Sequence, residues 1–282
     1  WARVEHSQLV HRINQRFLEE NGYEMDWMNP TTFNHHIQLS KFELEKDISN
    51  LTDKIKVRDY VADRIGKEHL IPIIGTFDSI EDFDFEPHNE DIVIKTNHGS
   101  GPNHCEILPS IKSKEEIIDK FNRAISNPYY GIEWGEFQYV HIQPRLIVEQ
   151  RIGGENRSPN DLKFHIFNSK SSTKWFLQVN SDRSTGLKAN IFDENFKKID
   201  VIYDGLPNGD VELPPIETLD SMLAIAKTLA DGHRYVRVDL YLADSQIFFG
   251  ELTFTPGCGF TEFSDFQISK KFGSYFSGGD LS

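Results

Sequence analysis

Arg237, Asp239, Glu251 and Thr253 fall in the last third of the chain at a spacing that suits a hard-cation site. In Tyr235-Val236-Arg237-Val238-Asp239-Leu240-Tyr241 the side chains of an extended strand alternate between faces. Arg237, Asp239 and Tyr241 then share one face, and Val236, Val238 and Leu240 the other. The run Gln246 to Thr255 returns antiparallel to it, and the same parity gives Phe249, Glu251, Thr253 and Thr255 a common face. With the turn centred near Asp244, Arg237 sits opposite Glu251, and Asp239 lies diagonal to it at ~7–8 Å between backbones. Two carboxylates converging from adjacent strands offer oxygens suited to Mg²⁺ on a nucleotide phosphate. An Arg–Asp–Glu salt-bridge cluster that merely orders the hairpin satisfies the same spacing. Alternation does not separate the two, because Phe249 shares the face of Glu251.

Upstream, Lys95 ends the apolar strand Asp91-Ile92-Val93-Ile94-Lys95, and a glycine-rich loop follows, Thr96-Asn97-His98-Gly99-Ser100-Gly101-Pro102. Small residues let such a loop approach phosphates, although most Gly-Ser-Gly loops are plain turns. Leu146 to Gly154 reads as a strand ending in a glycine turn. Asp161-Leu162-Lys163 and Val179-Asn180-Ser181-Asp182-Arg183 place single cations at strand ends, where a solvated surface residue is the ordinary finding. Three other patterns carry less. His98, His104 and Cys105 lack a fourth ligand at zinc spacing. Asp82-Phe83-Asp84 has the DxD form that sugar transferases use to hold Mn²⁺, but it sits in the acidic run Glu81 to Glu86. Cys258 has no histidine in a recognisable pairing context and reads as a packing residue.

The elements that must position these residues are readable from periodicity. Residues 5–20, 40–65, 113–127 and 218–231 have helical patterns; Gly66 and Gly232 stop two of them. Strands are expected over 70–76, 91–95, 139–152, 161–167 and 174–179, with a final hairpin over 235–241 and 246–255. Helices interspersed with strands indicate an α+β or α/β chain rather than an all-β sandwich. A smaller front unit over residues 1–87 and a larger one over 88–282 are expected.

Composition bounds the function. The chain has 282 residues, and 30 basic against 44 acidic side chains give a formal net charge of −14. Such a surface repels nucleic acid and anionic lipid. No apolar run approaches the ~18 residues of a membrane helix. The two cysteines, Cys105 and Cys258, form no CxxC pair, which fits a reducing cytoplasm. A hydrophobic share of 38% is enough for a real core and argues against disorder.

Taken in order, the segments resemble an ATP-grasp ligase. Arg237-Val-Asp239, then Glu251-Leu-Thr253-Phe-Thr255-Pro256-Gly257, is similar to that superfamily's metal-binding end, which reads Arg-x-Asp, Glu-x-Asn and often Pro-Gly. The set Asp53-Lys54-(x)3-Arg58-Asp59-Tyr60-Val61, Leu70-Ile-Pro72, Val93-Ile94-Lys95, Asp161-Leu-Lys163-Phe164, Arg237-Val-Asp239-Leu-Tyr241 and Phe249-Gly-Glu251-Leu-Thr253-Phe-Thr255-Pro256 is narrower. It resembles the teichuronopeptide-biosynthesis (TupA-like) ATP-grasp family, associated with cell-surface polysaccharide loci, in which threonine at position 253 is a branch trait.

The resemblance implies an ATP-grasp fold, two α+β subdomains clasping the nucleotide with a hinge near 149–154. It implies ATP and Mg²⁺ as cofactors, with Asp239 and Glu251 on the metal. Lys95, His98, Gly99, Ser100, Gly101, Glu149, Gln150, Ile152, Lys163, Arg183 and Thr253 would contact the nucleotide. Arg237, Lys163 and Arg183 would serve the chemistry, with lysine at 163 in place of the arginine of related branches. The implied activity is an ATP-dependent carboxylate–amine ligase acting through an acyl phosphate on a small or nucleotide-linked sugar acid and an amine. The competing expectations are a metal-dependent glycosyltransferase and a non-catalytic nucleotide or carbohydrate binder.

Overall fold

A computed structural model describes residues 2–44, 48–86, 91–127, 129–153, 159–182 and 186–278. Its backbone is organised by two antiparallel sheets. The smaller has the strand order β1-β4-β2-β3, from β1 (Ile73–Phe77), β2 (Ile92–Thr96), β3 (Cys105–Leu108) and β4 (Leu146–Gln150). The larger has the order β10-β9-β5-β6-β7-β8, from β5 (Asp161–Asn168), β6 (Thr173–Ser181), β7 (Lys188–Phe192), β8 (Lys198–Ile199), β9 (Tyr235–Ala243) and β10 (Gln246–Thr253). The helices are α1 (Ala2–Asn21), α2 (Phe33–Ser40), α3 (Ile48–Thr52), α4 (Val57–Ile65), α5 (Lys114–Ser126), α6 (Ile216–Ala230) and α7 (Phe266–Ser274). The chain is thus α+β. Among the described residues no helix is long and apolar enough to cross a membrane.

Each sheet buries one apolar face under a helix. Ser113 and Glu116 close a capping box at the start of α5, and Ile117 and Phe121 then pack on Ile92, Ile94, Leu146 and Val148 of the smaller sheet. On the larger sheet, Leu219, Met222, Ala226 and Leu229 of α6 cover Leu162, Phe164, Ile166, Val236, Val238 and Leu240. These strand residues alternate with Lys163, His165 and Asp239, which the opposite face also buries. A polar row buried under protein is costly unless it is fully paired, so this face is the one to search for chemistry.

The final hairpin departs from the expected register. Asp244 and Ser245 take left-handed backbone (φ 51° and 62°) and close a two-residue turn, pairing Ala243 with Gln246 and Leu240 with Phe249. A bulge at Gly250 then shifts the ladder, so Glu251 stands opposite Asp239 and Thr253 opposite Arg237. The expected pairing of Arg237 with Glu251 is therefore corrected. So is the shared face: Phe249 packs into the apolar core beneath α6, while Glu251 turns to Arg237 on the polar side.

Two other expectations are revised. The helical pattern over 40–65 is broken into α3 and α4 by a turn, where the Asp53 carboxylate accepts from the backbone N–H of Ile55 at 2.8 Å. The strand expected over 139–152 begins only at Leu146. The expected unit boundary at residue 87 lies outside the described residues; β1 precedes it and pairs with β4, which follows it. Residues at the N-terminal end pack on the C-terminal end. Phe33 is enclosed by Phe167, Phe176, Phe263 and Phe276, and Asn34 donates to the Thr261 carbonyl at 2.7 Å.

Gly250 is required by the bulge. A Cβ there would stand 2.9 Å from the Tyr241 ring and 3.1 Å from the Asp239 carbonyl. Gly250→Ala should therefore cost ~1–3 kcal/mol in urea unfolding, the usual toll of forcing a group into a filled space. A variant with wild-type stability would show that the bulge tolerates a side chain.

Candidate active site

Arg237 is the hub of the polar face. Its Nε donates to Asp239 Oδ1 at 2.7 Å and its Nη2 to Asp239 Oδ2 at 2.8 Å. The same Nη2 reaches Glu251 Oε1 at 2.9 Å and Thr253 Oγ1 at 3.0 Å. Lys163, from β5, pairs with Asp239 from the other side. One guanidinium thus spaces two carboxylates that would otherwise repel. Asp239 is almost fully enclosed (1% exposed), and burial pushes its carboxyl upward against Arg237 and Lys163, with Glu251 adding to the rise. Burial acts on Glu251 in the same sense, but Lys54, Arg237 and Lys163 overcome it and hold that carboxyl well below the usual range. Burial works against the Arg237 charge too, and its two carboxylates reverse the effect and raise its pKa. The pair presents one firmly ionised carboxylate at the opening and one enclosed beneath it.

A second charge cluster lies on the smaller sheet. Lys95 Nζ sits 2.7 Å from Glu149 Oε2, across the β2–β4 ladder, and Arg58 Nη1 sits 3.4 Å from Glu149 Oε1. Arg58 also donates to the Ile71 carbonyl at 2.9 Å. Burial alone would lower the Lys95 ammonium; Glu149, with Cys105 and Glu251 farther off, raises it. The two clusters are joined by Lys54, whose Nζ donates to the Gly99 carbonyl at 2.7 Å and lies 3.5 Å from Glu251 Oε2. Lys54 and Arg58 are one helical turn apart on either side of the start of α4. Sequence reasoning noted both within a recurring motif and gave neither a role.

The glycine loop closes over this junction. Gly99 has no room for a side chain, since a Cβ would stand 2.1 Å from His104 Nδ1. That nitrogen is hydrogen-bonded to Thr96 Oγ1 at 2.8 Å. Ser100 and Gly101 are exposed at the tip. His98 is buried at 2% exposure, edge-on to His104, so its ring lies under the loop.

The other sequence-selected residues fall as follows. Glu149 points to Lys95 and Arg58, so its carboxylate is already engaged. Gln150 spends its backbone N–H on the Pro72 carbonyl at 2.9 Å. Ile152 borders an apolar cavity of about 130 Å³ with Ile71, Val93, Ile107, Tyr241 and the stem of Lys95. Thr253 joins the Arg237 cluster and donates to Glu251 Oε1 at 3.2 Å. Arg183 and the Gly154 end of the expected hinge lie outside the described residues. Among the described residues, no three His, Cys, Asp or Glu side chains gather as a metal cluster. Phe83 is buried against Phe77 and Phe85, so Asp82-Phe83-Asp84 is a turn anchored by its aromatic with both carboxylates exposed. Cys258 is buried beside Lys41, and burial, with Glu136, pushes its thiol up to about 12, which leaves it unfit as a nucleophile.

The loop carries a pH signature. Burial, helped by His98, Lys54 and Lys120, pushes His104 down to about 4. The unfolded chain, at ~6.5, therefore binds the proton first. His104 contributes stability that is complete above pH ~6.5 and is lost as pH falls toward about 4. Urea unfolding across that window should show a shallower acid loss in His104→Gln than in the wild type. A slope remains, because His35, His36, His98 and His165 are also held down by burial. An identical slope in the variant would remove His104 as a contributor.

Against known proteins, a family model described as TupA-like ATPgrasp matches residues 35–277. The curated proteins give no match. Among solved structures, an L-amino acid ligase from Bacillus licheniformis is 13% identical, with 80% of this chain and 49% of that chain covered and a TM-score of 0.48. The D-alanine–D-alanine ligase from Bacillus anthracis is 19% identical, with 73% and 58% covered and a TM-score of 0.41. The N5-carboxyaminoimidazole synthetase from Staphylococcus aureus is 11% identical, with 83% and 53% covered and a TM-score of 0.44. The chain spans about half the length of these proteins, between 49% and 58%. The family match takes in both sheets and every residue of the two charge clusters: the chain belongs to the TupA-like ATP-grasp family.

Proposed function

We propose that this chain is an ATP-dependent carboxylate–amine ligase, with Mg²⁺ as its cofactor, acting on sugar acids in cell-surface polysaccharide synthesis. One observation carries the reading: five cations, Lys54, Arg58, Lys95, Lys163 and Arg237, hold only three carboxylates, Glu149, Asp239 and Glu251. Asp161, buried on the Lys163 face of β5, tempers that excess without cancelling it. In a chain of net charge −14, such a gathering of cations suits a small polyanion.

Glu251 fits Mg²⁺: its Oε2 faces Lys54 at 3.5 Å without a hydrogen bond, and the Thr253 hydroxyl lies beside its other oxygen. Asp239 stands opposite with both oxygens held by Arg237 and Lys163, so it would exchange one of those contacts for the ion. Two carboxylates are the protein's usual share when Mg²⁺ is held through substrate phosphates. When bound, the ion would neutralise phosphate oxygens and polarise the transferred group. Lys95, Lys163 and Arg183 would neutralise the remaining phosphate charge, while Arg237 keeps the carboxylates at their spacing. The cavity of about 130 Å³ beside Ile152 is smaller than the ~300 Å³ of whole-ligand pockets, which suits a base with its phosphates extending along the cleft.

In the reaction, a carboxylate oxygen of the sugar acid attacks the γ-phosphorus and the β–γ bridging bond breaks, releasing ADP. The amine nitrogen then attacks the acyl carbon, phosphate leaves, and the nitrogen loses a proton to give the amide. Positioning and charge neutralisation supply most of the acceleration. The acidic remainder of the surface disfavours a long uronate polymer, which points to a free or nucleotide-linked sugar acid. The free Cys105 and Cys258 agree with a cytoplasmic enzyme.

Incubation with MgATP, a panel of uronates and a panel of amines should release ADP and phosphate only when both acceptors are present. Glu251→Gln and Asp239→Asn should each lower that turnover by ~10²-fold or more, as loss of transition-state charge stabilisation does. Undiminished turnover in Glu251→Gln would remove the metal assignment.

A further inference from the structure

A further cavity is built from residues other than those of the cleft. It holds about 300 Å³, the size at which a pocket takes a whole small ligand, and it lies where α2, α3, the start of β9 and the residue after β10 meet. Leu44, Ile48, Leu51, Phe254 and Phe276 give it an apolar body, and the first four of these are continuous with the core beneath α6. None of its described lining residues belongs to either charge cluster of the cleft.

The charged groups of this cavity are at its mouth. Arg234 and Glu43 face each other at 3.5 Å as an ion pair without a hydrogen bond, and their side chains keep 56% and 61% exposure. A pair that exposed is worth ~1 kcal/mol or less, so a ligand parts it at little cost. Arg234 is nonetheless aimed. Its carbonyl accepts from the Asn168 N–H at 2.9 Å, and its guanidinium stands 5.7 Å from the centre of the Phe276 ring. His36 stacks flat on the same ring, 4.5 Å between centres. Burial, with Arg234, pushes that imidazole down to about 4, so at neutral pH His36 is an uncharged wall beside the Arg234–Glu43 pair.

One pair of opposite charges at the mouth of an apolar pocket matches one class of small molecule. An α-amino acid carries a carboxylate and an ammonium about a single carbon, with its side chain beside them. The carboxylate suits the planar fork of Arg234 and the ammonium suits the Glu43 carboxylate, so two charge-assisted hydrogen bonds replace a contact that has none. An apolar side chain then displaces water from Leu44, Ile48, Leu51 and Phe254. We propose that this cavity binds a free α-amino acid with an apolar side chain, at a site separate from the cleft. The proposal does not depend on the nucleotide reading. Phe254 directly follows Thr253, and Tyr235, which also lines the cavity, is hydrogen-bonded to His165 at 2.8 Å, so the site backs the strand ends that carry the Arg237 cluster.

Calorimetric titration of the full chain with L-leucine and with L-phenylalanine, in the absence of nucleotide, tests this. At least one of them should bind. The amide and the N-acetyl derivative of that amino acid each lack one of its charges, and each should bind about 10- to 100-fold more weakly, the worth of a charge-assisted hydrogen bond. Arg234→Met and Glu43→Gln should each weaken the unmodified amino acid by the same about 10- to 100-fold. Both side chains are largely exposed, and melting of the ligand-free variants establishes that each is folded; Glu43→Gln decides the matter if Arg234→Met is not. A wild type that binds neither amino acid would overturn the proposal. So would affinities that stay within about 3-fold of wild type in the folded variants, since the amino acid would then sit elsewhere, the cleft included. Neither of those results bears on the MgATP turnover that tests the ligase reading.

Discussion

Two carboxylates on neighbouring strands, opposite each other and one of them fully enclosed, cannot both stay ionised unless a cation lies between them. Arg237 is that cation. Its planar fork takes both oxygens of Asp239 and one of Glu251, and the rest of the larger sheet is arranged to keep it there. Lys163 on β5 closes the far side of Asp239. Behind Arg237, His165 accepts or donates to Tyr235 Oη at 2.8 Å and to Gln178 Oε1 at 3.1 Å, stacked on Phe176. Burial, with the Arg237 and Lys163 charges, keeps His165 neutral, so no further cation competes for the carboxylates. The apolar face under α6 and the aromatic cluster around Phe33 hold this sheet rigid, which a densely charged interior requires.

That arrangement reconciles the chain's total charge with an anionic ligand. Coulombic attraction falls steeply with distance and with screening, so a handful of cations in a partly closed cleft outweighs a surplus of carboxylates spread over the surface. The cations come from separate elements: Lys54 and Arg58 around the start of α4, Lys95 from β2, Lys163 from β5, Arg237 from β9. Each is checked by a carboxylate or a carbonyl that sets its position. Preorganised charge of this kind needs little rearrangement when a phosphate group arrives.

Much of this was readable in the sequence because strand periodicity is local. Arg237 and Asp239 had to share a face, and Val236, Val238 and Leu240 had to share the other, whatever the tertiary fold. The reading failed at Gly250, where one extra residue reversed the parity of everything beyond it. A glycine inside a strand is itself a bulge signal, and giving it weight would have separated Phe249 from Glu251. Glu149 was singled out only through the resemblance to a hinge segment, and its partners Lys95 and Arg58 depend on how β4 pairs with β2 and where α4 docks. Lys54 and Arg58 were unreadable for a different reason. On a helix pattern alone they are solvated surface cations, and only the Asp53 turn, docked on the Asn97 carbonyl, aims them into the cleft.

The same turn bears on how the front of the chain relates to the rest. A smaller front unit over residues 1–87 is expected from the order of elements, and hydrogen bonds run from that segment to the rest of the chain. β1 adds an edge strand to the smaller sheet through β4, and Gln38 donates to the Gly259 carbonyl at 2.9 Å, just past the Glu251–Thr253 segment. Lys41 is buried there as well, held by Gln38 Oε1 at 2.8 Å and the Trp134 carbonyl at 2.9 Å. An ammonium enclosed in this way would be expelled if the front segment could lift away cheaply. Residues 33–58 therefore brace the loop after β10 at one end and supply two cleft cations at the other. A segment tied at both ends transmits a shift at Gly99 or Glu251 to its neighbours, since packed interiors repack between discrete arrangements and do not stretch.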